Sequence, residues 1–112
     1  MFEAGNVALQ FITNLRPLID AVAERDPDLA SQLSRAACSA ALNTAEGSRR
    51  SGRDSKARYR LASAECAEAG TAVQIAEAWG WIDPAAAAPA LALADRLRAM
   101  LWRLRHPRPS RR

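Results

Sequence analysis

The sequence predicts an all-α fold, an antiparallel up-down-up-down four-helix bundle. Three observations predict it. Apolar residues recur at three- and four-residue steps in four successive stretches, the mark of amphipathic helices. No stretch alternates with the two-residue period of a strand. Turns rich in Pro, Gly and Asp separate the stretches.

In the first stretch Ala8, Phe11, Ile12, Leu15, Leu18, Ile19 and Val22 form one apolar face. Pro17 lies inside it; lacking an N–H and clashing with the preceding turn, it should kink the helix or mark a start. "ERDPD" closes the stretch, and Asp26-Pro27 or Asp28 is placed to cap the next helix. The second helix carries Leu29, Leu33, Ala36, Ala37 and Ala40 and is expected to run to Gly47, a natural C′ residue. Ser51 or Asp54 is placed to cap the third. There Tyr59, Ala62, Cys66, Ala69, Val73 and Ala76 make a seam of mostly small side chains, while Leu61, Ala64, Ala72, Ile75 and Trp79 make a second apolar face. A helix apolar on two faces is usually buried on two sides. In a chain of four helices, another subunit most easily covers the second side. Gly80 stops this helix, Asp83 can cap the next, and Pro84 suits its first position. The fourth helix shows Leu93, Leu97, Met100, Leu101 and Leu104. Residues 1–106 are read as the bundle and residues 107–112 as a basic, disordered tail.

A chain of 112 residues supports one domain, and with aromatics at only 5% its core must be built from Ala, Leu, Ile and Val. Glu3 and the lack of a basic segment before an apolar run argue against a secretory leader. No run reaches the ~18 apolar residues of a membrane span, so a cytoplasmic location is expected. Cys38 and Cys66 sit singly among alanines, which suits buried reduced thiols. Neither has a second Cys or His at ligand spacing, so no metal site and no cofactor is expected.

The net charge of +4 divides into alternating blocks: −3 over residues 1–48, +5 over 49–60, −5 over 61–95 and +7 over 96–112. Arg49, Arg50, Arg53, Lys56, Arg58 and Arg60 crowd the second block, and Arg53, Lys56 and Arg60 share one helical face. Cations spaced along a rigid element suit a phosphate backbone, because they release its counterions. The competing reading is a solvated corner, or pairing with the acidic blocks of the same or a neighbouring subunit. Arg96, Arg98, Arg103, Arg105, Arg108, Arg111 and Arg112 form a second basic candidate. Leu91, Arg98, Trp102 and Arg105 are read as lying on the side of the fourth helix opposite Leu97, Met100, Leu101 and Leu104. Trp102 between two arginines would stack a base or fill a subunit interface. Asn43, Glu46 and Glu68 are polar groups in apolar helices. With no nucleophile beside a base and a single His106, they are read as hydrogen-bonding groups that fix helix ends and register, with Arg35. Catalysis is not expected.

The run "LSRAACSAALNTAEGSRRSG", followed by "RYRLASAECAE" and closed by "AWGWID", resembles a bacterial four-helix-bundle family. That family includes proteins encoded in intervening sequences of large-subunit ribosomal RNA genes and the accessory variability determinant of diversity-generating retroelements. The resemblance rests on Gln32-Leu33, Arg35-Ala36-Ala37, Asn43 with Ala45-Glu46-Gly47, then Ala62, Glu68 and Gly80-Trp81-Ile82. Thr44 and Ala40 depart from the pattern, standing where larger aliphatics are common, as does Ala64-Glu65 in place of Gly-Ser. The resemblance implies a homopentameric ring without catalytic activity. In the retroelement branch it implies a basic surface that binds RNA or DNA and a reverse transcriptase. A ring would make even a modest patch multivalent. The expected function is thus a nucleic-acid-binding accessory protein; the alternatives are a protein-interaction scaffold and an orphan bundle of the ribosomal-RNA-insertion kind.

Overall fold

A computed structural model of the chain describes residues 2–109. Four helices follow in order: α1 (Glu3–Ala23), α2 (Pro27–Arg49), α3 (Gly52–Ala78) and α4 (Pro84–Arg105). No strand occurs among the described residues. Each helix packs against the next, and α1 closes the ring against α4. The result is an up-down-up-down rod of 55 × 22 × 22 Å.

The predicted periodicities are the buried faces. Phe11 and Leu15 of α1, Leu33 of α2 and Leu97 and Leu101 of α4 are the largest side chains wholly removed from water. Ala36, Ala37 and Ala40 of α2 are buried, as is the α3 seam of Tyr59, Ala62, Cys66, Ala69, Val73 and Ala76. Small residues on both sides let these two helices share the most extensive interface in the bundle. The second face of α3 remains open in the single chain: Leu61, Ile75 and Trp79 are exposed, and only Ala72 is covered. Leu104 is also exposed, at the edge of a groove it shares with Phe2, Ala4 and Met100.

The turns are made by the residues their chemistry favours, with three corrections. Asp26 accepts from the Leu29 N–H at 3.0 Å, and Pro27 takes the first helical position. Asp83 accepts from the Ala85 N–H at 3.0 Å ahead of Pro84. Gly80 adopts φ +78°, and the Trp81 N–H reaches back to the Ala76 carbonyl at 2.9 Å. That is a Schellman closure, which needs a left-handed residue. Ser51 occupies the N-cap of α3, yet its side chain caps nothing, and Asp54 is engaged by Arg50. Gly47 does not end α2, which runs on to Arg49. It is required because a Cβ there would sit 2.5 Å from the Tyr59 ring. Pro17 starts no new helix: α1 continues through it, with Pro17 on the exposed side. No described helix is long and apolar enough to cross a membrane.

Candidate nucleic-acid interface

The antiparallel order gathers the two basic blocks at one end of the rod, where α1 and α3 begin and α2 and α4 finish. Phe2 lies near Tyr59 with ring centroids 6.4 Å apart, and it also lines grooves with Met100, Leu104, Ala45 and Ser48. All four helices therefore meet there. The acids of this end are paired. Glu46 holds Arg49 at 3.5 Å and Arg50 at 3.1 Å, Asp54 holds Arg50 at 3.0 Å, and Glu3 holds Arg96 at 3.3 Å. The Glu46 hydrogen bond and the nearby Asp54 charge raise the Arg50 pKa above its ordinary value.

The six-cation cluster thus divides. Arg49 and Arg50 are partly neutralised. Arg58 turns toward α2, and its Nη1 donates to Asn43 Oδ1 at 3.4 Å. Arg53, Lys56 and Arg60 are exposed and have no carboxylate in pairing distance among the described residues.

A helix advances about 100° per residue, so residues four and seven apart share a face. Lys56 and Arg60 therefore lie on the α3 side that carries Ser63, Ala67 and Gly70. That side faces α4: Arg98 Nε donates to Ser63 Oγ at 3.5 Å, and Ala67 and Gly70 line a groove of about 210 Å³ with Leu91, Asp95 and Arg98. Trp102 and Arg105 follow Arg98 by four and seven residues and continue its face. The expectation that Leu91, Arg98, Trp102 and Arg105 stand on the side opposite Leu97, Met100, Leu101 and Leu104 is corrected for the first two: Leu91 and Arg98 flank α3. Arg105 is half-buried, and its Nε is enclosed with no acceptor. Trp102 is 53% exposed and stacks on His106 with centroids 4.1 Å apart. Arg103 sits on the other flank of α4, in the groove with Phe2 and Glu3. Arg108 is exposed beyond the helix, and Arg111 and Arg112 lie outside the described residues.

The polar motif is only partly joined. Asn43 donates to the Ser39 carbonyl at 2.9 Å while accepting from Arg58, so it does tie α2 to α3. Ser55 adds a second tie, its hydroxyl donating to the Gly47 carbonyl at 2.7 Å. Arg35 instead donates to Ser31 Oγ at 3.3 Å. Glu68 is exposed and makes no hydrogen bond among the described residues; Arg35 and Glu68 merely line opposite walls of an α2–α3 groove of about 470 Å³. Cys38 is not buried but exposed on α2, whereas Cys66 is buried and its thiol donates to the Ala94 carbonyl at 3.5 Å.

Fold and charge arrangement together define a four-helix-bundle protein with one strongly basic end. The family model of the 23S rRNA-intervening sequence protein matches residues 5–103, and the chain belongs to that family. A crystal structure of a protein of unknown function from the S23 ribosomal protein family of Bacteroides thetaiotaomicron is similar in fold. Its TM-score is 0.82 at 14% identity, covering 91% of this chain and 97% of that one. No curated protein matches the sequence.

Proposed function

We propose that this chain is a non-enzymatic accessory protein that binds nucleic acid through the α3–α4 face of its basic end. One observation carries the reading. Arg53, Lys56, Arg60, Arg98 and Arg105 converge on that face, and none has a carboxylate partner among the described residues. Unpaired cations on two rigid helices are the arrangement that exchanges condensed counterions for protein contacts. The working form is a homopentamer, and the partner polymerase is a reverse transcriptase. What supports the ring is the uncovered Leu61, Ile75 and Trp79 face of α3, too apolar to be left to water along a helix already buried on its other side. What supports the polymerase is the resemblance to the retroelement accessory determinant.

The test is fluorescence anisotropy with a labelled RNA across a salt series. Changing Arg53, Lys56 and Arg60 to Glu is expected to weaken binding on the order of a hundredfold and to make the log–log salt slope shallower by about 2 to 3. Unchanged affinity would remove the reading. Light scattering on the same samples gives the mass: a monomer or dimer would remove the ring.

A further inference from the structure

Resting on that reading, we infer that the Trp102–His106 pair is a stacking shelf for an unpaired base, making single-stranded nucleic acid the ligand of the basic end. The shelf is built rather than incidental. His106 follows the last residue of α4, and its backbone N–H bonds the Trp102 carbonyl at 3.0 Å. Its ring Nδ1 lies 2.8 Å from the same oxygen. A carbonyl oxygen only accepts, so this contact sets the proton on Nδ1 and locks the ring. The two rings then lie 4.1 Å apart at 21°, both exposed at the α4 terminus.

The surroundings suit one strand. Arg98 and Arg105 lie on the same flank of α4 as Trp102, and Lys56 and Arg60 stand on the facing rim of α3. Packed helix axes lie about 8–10 Å apart, so a single backbone lying in the cleft between the rims would meet cations from both. A duplex offers the cleft phosphates but keeps its bases stacked on one another. A single strand offers phosphates to the arginines and a free π-face to the indole.

The experiment compares labelled oligouridine, oligothymidine and a fully paired duplex, each about twelve nucleotides long, on the full chain and on Trp102→Leu and Trp102→Phe. Circular dichroism confirms folding, which an exposed position should not disturb. The expected result is a loss of about tenfold for both single strands in Trp102→Leu, little loss in Trp102→Phe and an unchanged duplex. Oligouridine and oligothymidine bound alike would mark the base face as the ligand, whichever sugar carries it. Three outcomes overturn the shelf: equal losses for duplex and single strand, no loss in Trp102→Leu, or a changed oligomeric mass by light scattering, which would make Trp102 a subunit contact. Absence of binding by all three probes would instead remove the nucleic-acid reading, and the shelf with it.

Discussion

At one end of the rod Arg53, Lys56, Arg60, Arg98 and Arg105 stand without acidic partners. At the other, Asp20, Glu24, Asp26, Asp28, Glu77 and Asp83 crowd around the α1–α2 and α3–α4 turns, with Arg25 among them. The long axis is 55 Å, several times the Debye length of about 8 Å at physiological salt. The acidic blocks therefore cannot neutralise the basic ones within one chain, however balanced the sequence looks when summed. Of the acids near that end, Glu3, Glu46 and Asp54 are already engaged with Arg96, Arg49 and Arg50, and Asp95, which shares a groove with Arg98, makes no ion pair with it. The basic end is left with a surplus of cations facing solvent and its counterions.

If binding followed net charge instead of place, charge changes at either end of the rod would act alike. Glu24, Asp28 and Glu77, all changed to Lys, add as much positive charge as reversal of Arg53, Lys56 and Arg60 removes. At physiological salt this variant should alter RNA affinity less than about threefold, against the roughly hundredfold loss at the other end. An increase should emerge only near 0.01 M salt, where the Debye length reaches about 30 Å. Equal and opposite effects from the two variants would mean that the face has no special standing.

How much of this was legible before the structure follows from which interactions are local. The four helices, the Asp26 and Asp83 caps and the Gly80 stop depend on residues within a few positions of one another, and they occur where sequence places them. Gly47 was misread because its cause, the Tyr59 ring, lies twelve residues away on another helix. Cys38 was misread because its alanine neighbours suggested burial, while its angular position on α2 points outward. The meeting of Arg53, Lys56 and Arg60 with Arg98, Trp102 and Arg105 needed the α3–α4 register, which no periodicity within one helix contains. The available signal was that an antiparallel pair joined by a short turn sets Ser63 near Arg98.

One glycine from each end is required, for opposite reasons. At Gly47 the backbone is helical and the space is taken; at Gly80 the space is empty and the backbone is left-handed. Gly47→Ala gains up to about 1 kcal/mol of helix propensity but must displace a buried ring, at about 1–3 kcal/mol. A net loss of about 1 kcal/mol is expected in urea unfolding, relieved when Tyr59 is also shortened to Leu. Gly80→Ala should cost about 1–2 kcal/mol through strain alone, and Gly80→Asn less, since Asn tolerates that region. If Tyr59→Leu rescued Gly80→Ala as well, the two ends would not be separate units of packing.

The smallest expected effect lies between the ends, at the thiol beneath the groove that Arg98 overlooks. Burial pushes Cys66 up to about 11 from an ordinary 9.0, while the nearby Arg98 charge pulls the other way. The folded state thus favours the neutral thiol. Below pH 9 both states keep the proton and stability carries no slope from this group. Between about 9 and 11 the unfolded chain gives up its proton first, so stability should fall by on the order of 1 kcal/mol per pH unit and flatten above the folded value. Urea midpoints measured from about pH 8 to 10.5 on the parent chain and on Cys66→Ala isolate this contribution, because every other titrating group is common to both. The same burial makes Cys66 unreactive in the folded chain, while exposed Cys38 is open to alkylation. One thiol per chain should react in native buffer and two in urea. Arg98→Gln tests the link to the basic end: without that charge overhead the thiol should titrate higher still, and the alkaline loss of stability should extend further. If Arg98→Gln leaves the profile of the parent chain unchanged, Arg98 is directed away from the groove toward solvent, and the basic rim would have to be drawn without it.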